Sequence, residues 1–176
     1  MRRVAAMLRA VNVGGTGKLP MADLKAMLAE EGFEDPQTLL ASGNAVFGTK
    51  DPAGAVERRL EAALEARFGF ATDVFVRDGA ELKAVMAANP FDDFAREAPS
   101  KLMAVFLKDE PPADLSSLER WATLGEKIAR GPRCLYIAYP EGSGRSRLAS
   151  AKTVASRGTS RNWNTVGKLA ALTDNR

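Results

Sequence analysis

The stretch TLLASGNAVFG (residues 38–48) decides how the fold is read. Two short apolar runs flank Ser42-Gly43-Asn44. Glycine and asparagine both tolerate the positive φ of a tight turn, so the stretch predicts a hairpin. Helical patterns lie on either side. Upstream, Pro20 suits the first position of a helix, Leu24, Met27 and Leu28 form one apolar stripe, and Gly32 can end it. Downstream, Asp51-Pro52 opens a second helix in which Val56, Leu60, Leu64 and Phe68 recur every four residues. The outermost segments, RRVAAMLRAV (2–11) and TDVFVR (72–77), read as strands. Strand, helix, strand, strand, helix, strand is the ferredoxin-like βαββαβ unit, an antiparallel sheet with both helices on one face.

The second half repeats the elements without repeating the letters. Asp78 and Glu81 predict a capped connecting helix through Met86, ended by Asn89-Pro90. KLMAVFL (101–107) reads as a strand, and Leu115, Leu118, Trp121 and Ala122 as one face of a helix. EKIAR (126–130) and RCLYIAY (133–139) read as a hairpin about Gly131-Pro132. GRSRLASAKTVASRG (144–158) predicts a helix and TSR (159–161) a short strand. A last helix begins near Trp163, capped by Asn162, with Val166, Leu169 and Leu172 inward. The expectation is therefore an α+β fold of two ferredoxin-like subdomains. Residues 1–77 form the first, 78–100 a connecting helix and loop, and 101–176 the second with its C-terminal helix.

Composition removes much chemistry. The 176 residues contain no histidine and one cysteine, Cys134. Histidine-based catalysis and metal sites are excluded, and one thiol builds neither a disulfide framework nor a zinc site. No metal and no cofactor are expected. Cys134 lies within an alternating strand and reads as a buried core thiol. Arg9 breaks the N-terminal apolar run too early for a secretion signal, and no apolar run is long enough to span a bilayer. A cytoplasmic protein without membrane contact is expected.

Charge is unevenly placed. Residues 1–22 carry four bases and no acid; residues 142–173 carry six and no acid; the 21 acids of residues 23–141 outnumber its 14 bases. Solvated surface explains this blandly. The sharper reading is that the chain ends meet and form one cationic face.

Within the ends, GGTGKL (14–19) is not a phosphate-binding P-loop, because the position five before Gly17 holds Asn12 and the residue after Lys18 is Leu19. Gly14 and Gly15 can still turn backbone N–H groups toward an anion beside Lys18. Asn44 offers an amide at the hairpin turn. In TSRNWNTVGKL (159–169), a helix start capped by Asn162 would leave N–H donors beside Arg161, Asn164 and Lys168, as an anion site requires. Tyr136 and Tyr139 fall on opposite faces of their strand. The sheets lack the paired aromatics on which RNA-recognition sheets stack bases.

LRAVNVGG…KLPMADLKAMLAEEGF (8–33), SGNAVF (42–47), NPF (89–91), GRSRL (144–148) and SRNWNTVGKL (160–169) together resemble the bacterial domain-of-unknown-function family 1697. Ala10 stands where the family form usually has glycine. The resemblance implies ferredoxin-like halves and no particular activity.

The residues then point to an anionic, phosphate-bearing small ligand. The candidate site is Arg9, Asn12, Gly14, Gly15, Lys18 and Asn44 with Arg145, Arg147, Arg161, Asn162, Asn164 and Lys168. A nucleic acid is the alternative ligand. Two further alternatives are a histidine-free enzyme acting on a nucleotide or sugar phosphate, with any metal held by residues such as Asp92-Asp93, and a protein-interaction module with an acidic partner.

Overall fold

The computed structural model describes residues 1–13 and 17–174; the Gly14 and Gly15 expectations lie outside them. The chain divides into two compact units, Met1–Ala80 with Leu169–Arg176, and Glu81–Lys168. The strands of each unit form an antiparallel four-stranded sheet.

In the first unit the strands are β1 (Arg2–Leu8), β2 (Glu34–Leu39), β3 (Asn44–Thr49) and β4 (Val74–Asp78), in the order β2-β3-β1-β4. Helix α1 (Met21–Glu30) joins β1 to β2, and α2 (Ala53–Phe68) joins β3 to β4. Register sets Val4 opposite Phe47 and Ala6 opposite both Ala45 and Val76. These residues, with Leu8 and Val74, meet Leu24, Met27 and Leu28 of α1 and Val56, Leu60 and Leu64 of α2 in one core. The alternate residues Ala5, Met7, Phe75 and Arg77 are buried too. The predicted hairpin is present, with four residues between its strands. β1 ends three residues earlier than expected, because Ala10 and Asn12 take left-handed φ values of 55°. Pro20 caps α1 rather than beginning it.

The second unit opens with α3 (Gly79–Ala87, whose first two residues belong to the first unit) and α4 (Asp92–Glu97). Its strands are β5 (Leu102–Phe106), β6 (Lys127–Gly131), β7 (Cys134–Ala138) and β8 (Thr159–Asn162), ordered β6-β7-β5-β8. Counted along each unit, the order is the same as in the first, and the βαββαβ arrangement is ferredoxin-like in both. The hairpin about Gly131-Pro132 turns at Arg133, with φ 51°.

Two predicted helices are not continuous. Between β5 and β6 only Ser116–Glu119 (α5) is α-helical. The 144–158 segment is a strap of short pieces: a 3-10 turn at Ser143–Arg145, one α turn at Arg147–Ser150 (α6) and another 3-10 turn at Val154–Arg157. The cause is local. The Ser146 hydroxyl accepts from Ala149 N–H and starts α6 anew. Thr153 and Ser156 form a reciprocal capping box and start the next turn. Such side-chain caps compete with continuous helix. The apolar residues of the strap, Leu148, Val154 and Ala155, still pack with Val105, Leu135 and Ile137 on one sheet face. The last helix, α7 (Trp163–Leu172), begins in the second unit and ends in the first, where Leu172 O accepts from Arg3 Nε. Leu172 is exposed rather than inward, since Leu169 and Thr173 take the buried positions on either side.

Candidate functional site

In the first unit, both expected asparagine donors serve the fold. Asn12 Nδ2 donates to Leu19 O and Ala41 O, each at 2.8 Å, and its Oδ1 accepts from Leu19 N at 2.7 Å. One side chain thus ties the loop after β1 to the hairpin turn. Asn44 is fully buried, and its amide donates to Leu39 O and Ser42 Oγ. Arg9 borders a cleft of about 650 Å3, but Glu61, Glu65 and Asp73 line it as well, and that charge does not favour an anion. Lys18 is exposed.

In the second unit, pairing of β8 with β5 fixes which way its side chains face. Arg161 lies opposite Ala104, which also lies opposite Tyr136. This is the face away from the strap. Here the Tyr136 hydroxyl donates to Val85 O of α3 at 2.6 Å, and its ring meets Trp163 edge-on. Arg161 is 6% exposed, and its Nη1 donates to Thr159 Oγ1 at 2.7 Å and Ser160 O at 2.9 Å. Burial holds its guanidinium down to a pKa of about 10, so it stays charged at neutral pH. Asn162 caps α7, its Oδ1 accepting from Thr165 N at 3.0 Å. Trp163 is half-buried, and Asn164 and Lys168 are exposed. Arg145 and Arg147 sit on the strap, across the sheet from Arg161, so the structure does not gather these three.

What it gathers instead is partly outside the expected set. Arg145, Arg147, Lys152 and Arg157 all lie on the strap and are all exposed, and the side chain of none makes an ion pair or hydrogen bond. Elsewhere arginines find acids: Arg59 meets Glu31 and Asp51, Arg67 meets Glu30, Arg133 meets Glu81. Lys152 and Arg157 were missed as site residues, although the acid-free run that contains them was visible. The strap also roofs a cavity of about 240 Å3, floored by Met103, Val105 and Ile137. Tyr139 lines it, 4% exposed, its pKa pushed up to about 12 by burial and then by the Glu126 carboxylate. Cys134 is buried, as expected. Among the described residues, no three histidine, cysteine or carboxylate side chains come together as a metal site, and no helix is long and apolar enough to cross a membrane.

The family model for DUF1697, proteins of unknown function, matches residues 1–136. The chain belongs to this family. Its fold closely resembles the solved structure of a conserved bacterial protein of Streptococcus pneumoniae, SP0830. The match has a TM-score of 0.80, covers 98% of this chain and 99% of that one, and is 20% identical in sequence. That likeness shows a shared fold. No curated protein matches the chain.

Proposed function

We propose that this DUF1697 protein binds a phosphate-bearing anion on the strap of its second unit. One observation carries the reading: four exposed cations within residues 145–157, on a run without acids, have no carboxylate or hydrogen-bond partner. A folded surface normally intersperses the two signs, and a one-sign stretch raises the local concentration of the opposite charge. A small ligand is the first choice, because a cavity opens beneath the same segment. A nucleic acid is the second reading, favoured by the spread of the cations along the surface.

Amide NMR titration with inorganic phosphate, a nucleotide panel, single-stranded RNA and duplex DNA at two salt concentrations tests both readings. Shifts confined to the strap, lost in Arg147→Ala, are expected with the small ligands. If a duplex contacts all four strap cations, log K against log salt should slope by about −3.6. Steep binding to polymers with none to small phosphates would select the second reading. An unmoved strap with every ligand would reject both.

A further inference from the structure

We infer that the strap site takes an amphiphilic anion, with a short alkyl or similarly apolar group in the cavity and its phosphate or other anionic head on the strap's cations. This deepens the anion reading above and rests on it. In the first unit, the helix joining β3 to β4 lays Val56, Leu60 and Leu64 onto the sheet. In the second unit, the strap joining β7 to β8 sets Leu148, Val154 and Ala155 on the sheet. The void that remains is about 240 Å3 and its floor is Met103, Val105 and Ile137. An apolar cavity of about 150 Å3 already accepts a benzene-sized molecule, so a chain of about four carbons fits. The cations adjoin its roof along the chain. Arg147 precedes Leu148, Lys152 follows Ala151 and Arg157 follows Ser156, and each of those neighbours lines the cavity. Tyr139, also a lining residue, has a hydroxyl without a hydrogen-bond partner and keeps its proton at neutral pH, so it is available as a donor. An apolar floor, the hydroxyls of Tyr139, Ser143, Ser156 and Ser160 around it, and cations on the adjoining strap together match a ligand that is greasy at one end and anionic at the other.

The test is a homologous series of monoalkyl phosphates, methyl to hexyl, titrated into the full chain beside inorganic phosphate and hexanol. Affinity should rise about four-fold for each added methylene as far as about butyl and then level off. Ala155→Leu, which fills the cavity, should flatten the series and leave inorganic phosphate binding unchanged; Ala151→Leu serves if Ala155→Leu fails to fold. A flat series on the wild-type protein, with phosphate bound, overturns this inference and leaves the anion reading standing. Hexanol bound but no phosphate compound bound overturns it too, and the anion reading with it. A rising series that both filling variants leave intact shows that the chain lies elsewhere and also overturns it.

Discussion

In the first unit the crossover from β3 to β4 is one 16-residue helix; in the second the crossover from β7 to β8 is a strap of three short pieces. Strand order and pairing are the same on both sides of this difference. The contrast shows what each sequence does with its polar residues. Along α2, Arg59 and Arg67 lie outward and reach Glu31 and Glu30 at the end of α1, while the apolar residues lie inward at helical spacing. Along the strap, serines and threonine turn back to cap the backbone, and the cations face solvent unpaired. A continuous helix maximises burial. A broken one gives up burial, leaves a cavity and exposes charge, the arrangement expected where a ligand rather than the core dictates the sequence.

The sharpest way to break this comparison is to truncate one leucine in each crossover. Leu60 is 1% exposed and Leu148 is 2% exposed. Leu60→Ala should cost about 3–4 kcal/mol, since α2 seats it in a full core. Leu148→Ala should cost only about 2 kcal/mol, because Leu148 already borders a void and has fewer contacts to lose. Urea unfolding of both variants measures this. Equal losses would mean that the strap packs as well as the helix.

Two glycine turns, one in the hairpin before β3 and one leading into the strap, differ as well. Gly43 has φ 90°, and a Cβ there would lie 2.5 Å from Val11 Cγ2. Gly43→Ala should therefore cost about 2–3 kcal/mol, backbone strain and clash together. Gly142 leads into the strap with φ 79°, and a Cβ there would meet nothing within 4 Å. Gly142→Ala should cost about 1 kcal/mol, from strain alone. Thermal melts that rank the two the other way would show that Val11 moves aside freely.

Much of this fold is legible in the sequence. The four-residue spacing of α2 and the Ser-Gly-Asn turn are local signals, and the structure follows them; β7, read as alternating, is instead buried on both faces. The strap reads wrongly as one helix because composition favours helix there: Leu148, Ala149, Ala151 and Lys152 are good helix formers. Ser146, Thr153 and Ser156 act by hydrogen bonds that no periodicity reveals. The same blindness affects the site. Asn12 and Asn44 look like ligand donors in sequence, yet their amides hold backbone carbonyls. Facing direction decides Arg161, and only the register of β8 against β5 sets it.

Carboxylates anchor both crossovers: on α2, Glu57 and Glu61 accept from Val76 N and Val74 N, and Glu126 holds the strap. Glu126 is 8% exposed and accepts from Ser146 Oγ at 2.5 Å and from Leu124 N at 2.6 Å. Burial pushes its pKa up, but those hydrogen bonds outweigh burial and hold it below its ordinary value of 4.5. A carboxylate with a depressed folded pKa contributes stability that is fully present above the unfolded value. That contribution is lost as pH falls through the folded one. Glu126→Gln should thus destabilise at pH 7, and the gap to wild type should narrow steadily below about pH 4.5. Melts from pH 7 to 3 follow that gap; a constant difference would assign the anchor to shape alone, not charge.

The smallest expected effect separates the crossovers by charge. Arg59 on α2 meets Glu31 and Asp51, and its guanidinium lies 4.7 Å from the centre of the Phe33 ring. Arg59→Ala should cost about 1 kcal/mol through lost pairing and stacking. Lys152→Ala and Arg157→Ala on the strap remove side chains that touch no acid, so each should change stability by less than about 0.5 kcal/mol. If anything, relieving repulsion among neighbouring cations should stabilise slightly at low salt, and added salt should erase that gain. The same two variants should weaken phosphate binding. Loss of binding without loss of stability marks residues kept for a ligand; equal stability losses on strap and helix would mean that the strap's cations serve the fold after all.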